Sequence, residues 1–306
     1  MKIHQIEGHA AVLTANTIFG LGVPVTALLL ANWIGPLAYM ETRCAGAALI
    51  FWIISLFLPR EHVPAKDLAI IIGGGLIGVV VSQTLTAWAL TYTTPVYFSL
   101  IATLTPVATM LCAALFIRER ITAKGALGVA IGIIGALLMV FINWQSGSGK
   151  NDRLGILLAV LSLLTWAVYL IITRSISARY SAVTQMKWIF LASAIVMLPF
   201  SWDQLTTAPL FSAVSPAAGA PSSPLWTGIL EMAFIVLLTT VYGYFAIPFA
   251  LRYIKTTTVS IYTNLQPIVA SLVAICIGQD RLTWDKPVAL LLVLLSAWIV
   301  TRQDGK

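Results

Sequence analysis

Polar side chains recur at helical spacing inside long apolar stretches of this chain. Between residues 95 and 117, Ser99, Thr103 and Pro106 follow one another at i, i+4 and i+7. The stretch from 257 to 278 repeats these intervals with Ser260, Asn264 and Pro267. Each set falls on one face of a helix. Because polar groups in hydrocarbon turn towards protein or water, the two faces are expected to line a common cavity that accepts a small solute.

Other apolar stretches carry polar and aromatic residues that are expected to face the same cavity. They are Asn16, Gln83, the set Ser162, Trp166, Tyr169 and Thr173, and the pair Thr239 and Tyr242. The competing interpretation is that Ser and Thr bond to their own helices and that small residues allow close packing. That interpretation explains single hydroxyls better than Asn16, Gln83, Asn264, Trp166 or Tyr242, which are too large or too polar to be merely tolerated.

Two ionisable residues lie near one end of the stretch 37–58. Glu41 and Arg43 are two positions apart, so they point to different faces and cannot pair well with each other. Arg43 is expected either to brace neighbouring helices or to anchor a carboxylate, and Glu41 to bind a proton or a substrate group. The alternative is that both side chains extend to the lipid headgroups.

Catalytic and metal-binding patterns are absent from the sequence. The histidines, His4, His9 and His62, stand in terminal or loop segments, and Cys44, Cys112 and Cys276 fall in separate stretches without metal-ligand spacing. We therefore expect no enzymatic activity, no metal and no cofactor.

Composition identifies the surroundings of the chain as a lipid bilayer. Hydrophobic residues make up 59% of the sequence and charged residues 9%, and the mean hydropathy is +0.94. A helix needs roughly 20 apolar residues to cross the hydrocarbon. We predict an all-α membrane protein with ten transmembrane helices, over 10–32, 37–58, 68–90, 95–117, 123–143, 154–173, 183–202, 228–251, 257–278 and 287–301.

An internal repeat divides these ten helices into two sets of five. Residues 104–124 align without a gap with residues 265–285, 161 positions later. The matched pairs include Tyr92 with Tyr253, Pro106 with Pro267, Arg120 with Arg281 and Thr122 with Thr283. We predict repeats over 1–147 and 148–306. Because each repeat has an odd number of helices, the repeats are inverted relative to each other, which is typical of transporters that work by alternating access.

Lysine and arginine placement predicts the orientation. With the N-terminus in the cytoplasm, most of these residues fall in segments on the inner side. We therefore expect a bacterial inner-membrane protein with both termini in the cytoplasm. The net charge of +7 then reflects topology and contact with membrane lipid, and nucleic acid is not an expected partner.

The chain resembles the ten-helix drug/metabolite transporters of the EamA type. The residues that carry the resemblance are Arg43, Pro106, Glu119, Arg120, Thr122, Gly128 and Gly135, with Pro267, Arg281 and Thr283 in the second copy. The chain departs from the pattern at Asp280, Ala289 and Ser296 in the second copy, and at Phe19, where the family often has Trp. The resemblance implies a cavity walled by the first, third, fourth, sixth, eighth and ninth helices. Arg43, Glu41, Pro106, Pro267 and Glu119 are then structural or gating residues.

The resemblance also implies a function. We expect export of small neutral or zwitterionic metabolites, above all amino acids, by alternating access. Apolar contact with the solute is expected from Trp166, Tyr169, Tyr97 and Tyr262, and hydrogen bonds from Asn16, Gln83 and Asn264, with Thr103 and Tyr242 completing the wall.

Several alternatives stay open at this point. One is an uptake permease for a sugar or another metabolite, and another is a membrane receptor or scaffold that transports nothing. The first helix has no acidic residue in its middle, which disfavours proton-coupled cation antiport. Protons remain a candidate coupling ion through Glu41, beside downhill facilitation.

Overall fold

A computed structural model describes residues 2–102, 104–116, 149–211, 224–254 and 265–278, together with residues 127, 130, 131, 134, 259, 262, 263, 288, 291 and 295. Thr103, Glu119, Ser260 and Asn264 lie outside the described residues, as do the Arg120 and Arg281 turns and almost all of the predicted spans 123–143 and 287–301. The backbone of Pro267 is described and its side chain is not.

The described part of the chain is helical, without β-strands. Its helices are α1 Lys2–Asn32, α2 Pro36–Leu56, α3 Ala65–Tyr92, α4 Pro95–Ala102, α5 Thr105–Phe116, α6 Asp152–Ser177, α7 Ala182–Thr207, α8 Leu225–Tyr253 and α9 Leu265–Cys276. Six of them, α1, α2, α3, α6, α7 and α8, are long and apolar enough to cross a membrane. They correspond to six of the ten predicted spans.

Helices extend a few residues beyond the apolar runs because capping groups satisfy their ends. Helix α6 starts where the side chain of Asn151 accepts a hydrogen bond from the backbone N–H of Leu154, at 3.2 Å. The hydroxyl of Ser181 accepts in the same way from Thr184 at the start of α7. Helix α2 begins with Pro36, whose missing N–H costs nothing at a first position.

Helices α3 and α8 share an irregularity at equivalent positions of the sequence repeat. Each contains a π-helical segment, Leu76–Val81 in α3 and Ile235–Tyr242 in α8. The two helices end at Tyr92 and Tyr253, 161 residues apart. The residue that follows each end is extended, with φ of −127° at Thr93 and −125° at Ile254. π-Helical turns are rare and often lie beside functional sites.

Helix packing follows a reciprocal pattern. Helix α1 packs against α8 and α9, while α6 packs against α3, α4 and α5. Helix α2 packs along α7, and α4 contacts α9. By the offset of 161 residues α8 is the counterpart of α3 and α9 that of α5, and by order along the chain α6 is the counterpart of α1. The contacts of α1 with α8 and α9 therefore correspond to those of α6 with α3 and α5.

Two of the close helix contacts depend on glycine. A Cβ atom added at Gly22 would lie 2.6 Å from Cγ2 of Thr239, across the contact between α1 and α8. A Cβ atom added at Gly78 would overlap the ring of Tyr169, across the contact between α3 and α6. Both positions are therefore restricted to glycine by the neighbouring helix.

The largest buried apolar cluster joins α1, α2, α3, α6, α7 and α8, and the outer faces are apolar. Tyr169, Tyr244, Phe51 and Phe190 are among the largest fully buried side chains. Large apolar residues are exposed on the outer faces, including Leu49 of α2, Phe200 and Trp202 of α7, and Ile229 and Leu237 of α8. An exposed apolar surface of this extent fits contact with lipid, because it would be costly in water. The protein is an integral membrane protein.

A polar cluster joins the start of α3 to the connection between α6 and α7. Arg179 Nη1 donates to Asp67 Oδ2 at 2.6 Å, and the hydroxyl of Tyr180 donates to the same oxygen at 2.7 Å. The bond to Asp67 raises the pKa of Tyr180 above its ordinary value. The backbone N–H of Ser181 donates to Glu61 at 3.0 Å. The cluster fixes the end of the bundle at which α3 begins.

Candidate binding cavity

A cavity lies between the two sets of helices. Its empty volume is about 800 Å³, including the space at its mouth. It is lined by Phe19, Gly22, Val23, Thr26, Tyr39, Arg43, Ser82, Gln83, Thr86, Leu90, Phe98, Ala102, Thr105, Ala159, Ser162, Leu163, Trp166, Thr239, Tyr244, Thr263 and Gln266. On α1, α2, α3 and α6 these positions fall in the half of the bundle where α1 ends and α2 begins. The volume suits a small organic solute.

Arg43 is the only charged residue among the described residues that line the cavity. Its side chain is buried, with 5% of its surface exposed. Nε donates to the hydroxyl of Thr240 at 2.9 Å, and Nη1 donates at 3.4 Å to the hydroxyl of Tyr39 and to Oε1 of Gln83. These acceptors are neutral, and no ion pair involves Arg43 within the described ranges. The cavity wall therefore carries one positive charge that no described carboxylate balances.

Aromatic rings of α1, α6 and α8 cluster at one part of the cavity wall. The ring of Trp166 lies 4.9 Å from that of Tyr169 and 5.7 Å from that of Tyr244, measured between centroids. Phe19 of α1 meets Tyr244 edge to face at 6.0 Å. Such contacts fix ring orientation and present a rigid apolar surface. The hydroxyl of Tyr244 is buried and has no hydrogen-bond partner in the described part of the chain.

Hydroxyl groups of α3 and α6 bond to one another at the edge of the cavity. The hydroxyls of Thr86 and Ser162 lie 2.7 Å apart, and the hydroxyl of Ser82 donates to the carbonyl of Ser162 at 3.0 Å. These groups line the cavity and also join two helices. The two interpretations offered for small polar residues therefore apply together at this position.

The cavity is closed at one end by contacts of α1. Nε2 of Gln266 donates to Oδ1 of Asn16 at 2.7 Å, and Nδ2 of Asn16 donates to the carbonyl of Val12 at 2.8 Å. Gln266 lines the cavity, whereas Asn16 is fully buried beneath it. Further towards the N-terminus, Thr14 is hydrogen-bonded to Tyr242, and His9 to Tyr262 at 3.0 Å. Helix α1 is thus tied to the second half of the chain at three successive levels.

The residues singled out from the sequence are distributed over these features. Gln83, Trp166 and Arg43 line the cavity. Asn16, Tyr242 and Tyr262 belong to the contacts beneath it, and Tyr169 packs behind Trp166. Tyr97 lies in a separate buried cluster between α4 and α6.

Glu41 and Pro106 lie away from the cavity wall. Glu41 is buried on α2, and its Oε2 has no hydrogen-bond partner among the described residues. Pro106 is buried in the first turn of α5, next to the break that separates α4 from α5. The part of the chain outside the description includes Thr103, Asn264 and Glu119.

Several residues of the cavity wall were not predicted from the sequence. The most prominent are Tyr244, Tyr39, Thr26 and Gln266. Tyr244 stands 161 positions after Gln83, so the internal repeat itself could have identified it. Tyr39 lies one helical turn before Arg43, on the same face of α2.

Metal-binding groups are not found within the described ranges, where no cluster of three or more His, Cys, Asp or Glu could hold an ion. The polar groups that face the cavity are hydroxyls, amides and one guanidinium. This set can bind and orient a solute through hydrogen bonds and charge.

Comparison with known proteins gives consistent matches over the whole chain. A family model described as the EamA-like transporter family matches residues 6–141 and again residues 153–302. An uncharacterized transporter of Archaeoglobus fulgidus is 23% identical, over 95% of this chain and 98% of the relative. The uncharacterized transporter YyaM of Bacillus subtilis is 24% identical, over 86% of this chain and 84% of its own length. A solved crystal structure is similar in fold, with a TM-score of 0.65 and 17% identity over 100% of this chain and 99% of that one.

Proposed function

Since the chain belongs to the EamA-like transporter family, we propose that it exports small neutral or zwitterionic organic metabolites, above all amino acids, by alternating access. It is a membrane transporter and not an enzyme, and its partners are a small-molecule substrate and membrane lipid. The observation that carries the proposal is the cavity between α1, α2, α3, α6 and α8, whose wall combines Gln83 and Arg43 with the aromatic rings of Trp166 and Tyr244.

The proposed architecture consists of ten transmembrane helices in two inverted repeats, 1–147 and 148–306. Three observations support it: the family model matches two successive ranges of the chain, π-helical segments recur at equivalent positions, and helix packing is reciprocal. We further propose a bacterial inner-membrane location with both termini in the cytoplasm. The cavity then lies in the outer half of the bundle, because the N-terminal half of α1 is on the inner side.

Alternating access in this arrangement exchanges two sets of contacts. Helix α1 is tied to α8 by the Thr14 bond to Tyr242, and to α9 by the Asn16 bond to Gln266. The reciprocal contacts join α6 to α3 through Ser82, Thr86 and Ser162. Opening one set while the other stays closed would expose the cavity to one side of the membrane at a time. Pro106, Pro267 and Glu119 are the proposed gating positions on the helices that move.

Solute contact is proposed at two levels. Gln83 and Trp166 reach the solute directly, through an amide group and an apolar ring. The other predicted residues, which are Asn16, Tyr97, Thr103, Tyr169, Tyr242, Tyr262 and Asn264, are proposed to shape the site or to contact the solute in a second conformation. Glu41 is proposed as a structural residue, because it lies outside the cavity wall.

Transport can be tested with purified protein in liposomes loaded with unlabelled phenylalanine. We expect labelled phenylalanine to enter by counterflow faster than into protein-free liposomes. Direction requires a second assay, in which cells that contain the protein are loaded with labelled phenylalanine and its loss is followed. Counterflow without faster loss from cells would contradict export, and absence of counterflow for every amino acid would contradict the proposed substrate class.

Inversion can be tested by cysteine labelling. Cys44, Cys112 and Cys276 are replaced first, since Cys276 is exposed. Single cysteines are then introduced at Arg120 and at Arg281. We expect reagents to reach the two positions from opposite sides of the membrane, and labelling from the same side would contradict the inverted arrangement.

A further inference from the structure

We propose that this transporter recognises its solute through a carboxylate group that pairs with Arg43, and that an amino group on the solute is dispensable. The inference rests on the proposed transport function and redefines its substrate class by the carboxylate group, so that anionic organic acids are included. It predicts that organic acids with an apolar or aromatic body bind as well as the corresponding amino acids.

The charge of Arg43 has no described counter-charge. Its guanidinium is buried at the cavity, and its described partners are the neutral groups of Thr240, Tyr39, Gln83 and Met40. A buried charge without a partner of opposite sign is unfavourable inside a membrane protein. A carboxylate in the cavity would supply that partner and form charge-assisted hydrogen bonds, which are stronger than bonds between neutral groups.

Hydrogen-bond donors at the cavity remain available for a solute. The bonds of Arg43 use Nε and Nη1, and no bond of Nη2 lies within the described part of the chain. Tyr244 also lines the cavity, and its buried hydroxyl lacks a described partner. A guanidinium and a hydroxyl that face one cavity form a set of donors suited to the two oxygens of a carboxylate.

The described cavity wall offers no counter-charge to the amino group of an amino acid. No Asp or Glu is among the described residues that line the cavity. Glu41 is buried on α2 but is not on the wall and makes no ion pair among the described residues. Among the described residues, an ammonium group would therefore meet only neutral oxygens and aromatic rings such as those of Trp166 and Tyr244. Because these contacts replace water without supplying an opposite charge, the amino group adds little to recognition.

A purely structural role for Arg43 explains less. The bond from Nε to Thr240 joins α2 to α8, but both bonds of Nη1 to oxygen are long, at 3.4 Å. A glutamine or a lysine at this position could donate to the same neutral acceptors. Joining the helices therefore does not require a guanidinium at a cavity. The position and the charge are both accounted for when an anion is the missing partner.

The test compares two solutes of the same shape. The melting temperature of detergent-purified protein is measured at increasing concentrations of 3-phenylpropionate or of 3-phenylpropanamide. The second compound carries a neutral amide where the first carries a carboxylate. Phenylalanine and phenethylamine complete the set, since they carry and lack the carboxylate respectively. We expect 3-phenylpropionate and phenylalanine to stabilise the protein with affinities within a few fold of each other, and at least about tenfold above those of the amide and the amine.

Substitutions at Arg43 test the assignment to this residue. In Arg43→Gln the preference for 3-phenylpropionate over the amide should fall to about one, and Arg43→Lys should retain part of it. The matched control is Arg179→Gln, which removes a guanidinium that pairs with Asp67 outside the cavity and should leave the preference unchanged. If Arg43→Gln does not fold, the solute comparison on the unaltered protein still decides the question.

Each outcome has a defined meaning. Equal affinities for 3-phenylpropionate and its amide, or no stabilisation by either, would overturn the inference while leaving transport of other solutes intact. Stabilisation by the acid together with no counterflow of any amino acid would overturn the proposed amino acid transport and leave carboxylate recognition standing. A tenfold or greater preference that persists in Arg43→Gln would overturn the role of Arg43.

Discussion

Gln83 and Tyr244 occupy equivalent positions in the two halves of the chain, 161 residues apart, and both line the same cavity. Each is the second residue after the end of a π-helical segment. Duplication has thus brought two copies of one helix position to a single site, where sequence divergence gave them different chemistry. One side offers an amide beside Arg43, and the other an aromatic ring with a hydroxyl.

The aromatic wall should contribute to affinity. In Trp166→Phe we expect the KM for phenylalanine counterflow to rise roughly 2- to 10-fold with little change in maximal rate, because one ring of an aromatic contact worth about 0.5–1.5 kcal/mol becomes smaller. The measurement is the concentration dependence of counterflow. The control is Trp202→Phe, at an exposed position on α7, and an unchanged KM in Trp166→Phe would contradict contact with the solute.

The stability of α3 should depend on glycine at position 78, which packs against α6, and not at position 73. In Gly78→Ala the added methyl group would overlap the ring of Tyr169, so we expect a loss of about 1–3 kcal/mol of stability. In Gly73→Ala the methyl group meets nothing within 4 Å, so stability should stay equal or rise slightly. Melting of the two variants in detergent provides the comparison, and equal melting temperatures would show that the contact is looser than described.

The bond between Tyr180 and Asp67 should give a stability contribution that depends on pH. The pKa of Tyr180 is raised by this bond, so the contribution is fully present below the ordinary tyrosine pKa of about 10 and is lost as pH rises through the raised pKa. Tyr180→Phe should therefore melt below the unaltered protein at pH 8. The two melting curves should converge at strongly alkaline pH, and a difference that grows with pH would have the wrong sign.

Transport should not be driven through Glu41. This residue is buried but lies outside the cavity wall, so its proton has no direct contact with a bound solute. We expect phenylalanine flux into liposomes to be the same with and without a pH gradient, and to change by less than about twofold in Glu41→Gln. Accumulation that requires a pH gradient in the unaltered protein and disappears in Glu41→Gln would establish proton coupling instead.

The long helices could be predicted from the sequence because apolar length alone identifies them. Helices α2, α3, α6, α7 and α8 begin and end within a few residues of the predicted spans. Helix α1 begins earlier than its apolar run, at Lys2 rather than at residue 10, because polar residues can continue a helix outside the hydrocarbon.

The cavity wall was harder to predict because helical periodicity changes within α8. Regular spacing placed Thr239 and Tyr242 on one face, three residues apart. In the structure Thr239 lines the cavity together with Tyr244, five residues later. Five residues is the interval spanned by a π-helical hydrogen bond, and Thr239 lies inside the π-helical segment. No residue type in Ile235–Tyr242 indicates the wider turn. Regular helical spacing therefore predicts Tyr242, and not Tyr244, as the cavity residue on the face of Thr239.

In α3 and α8 the number of residues in the π-helical segment sets the direction of every side chain that follows it. That number is therefore a stronger constraint than most residue identities in the segment. Deleting one residue from Leu76–Val81 would allow α3 to continue as a regular α-helix, and every side chain beyond the deletion would turn by about 100° around the helix axis. Gln83 would then point away from the solute although its identity was unchanged. Apart from Gly78, which the ring of Tyr169 restricts to glycine, substitutions in Leu76–Val81 should accordingly be tolerated more readily than deletions.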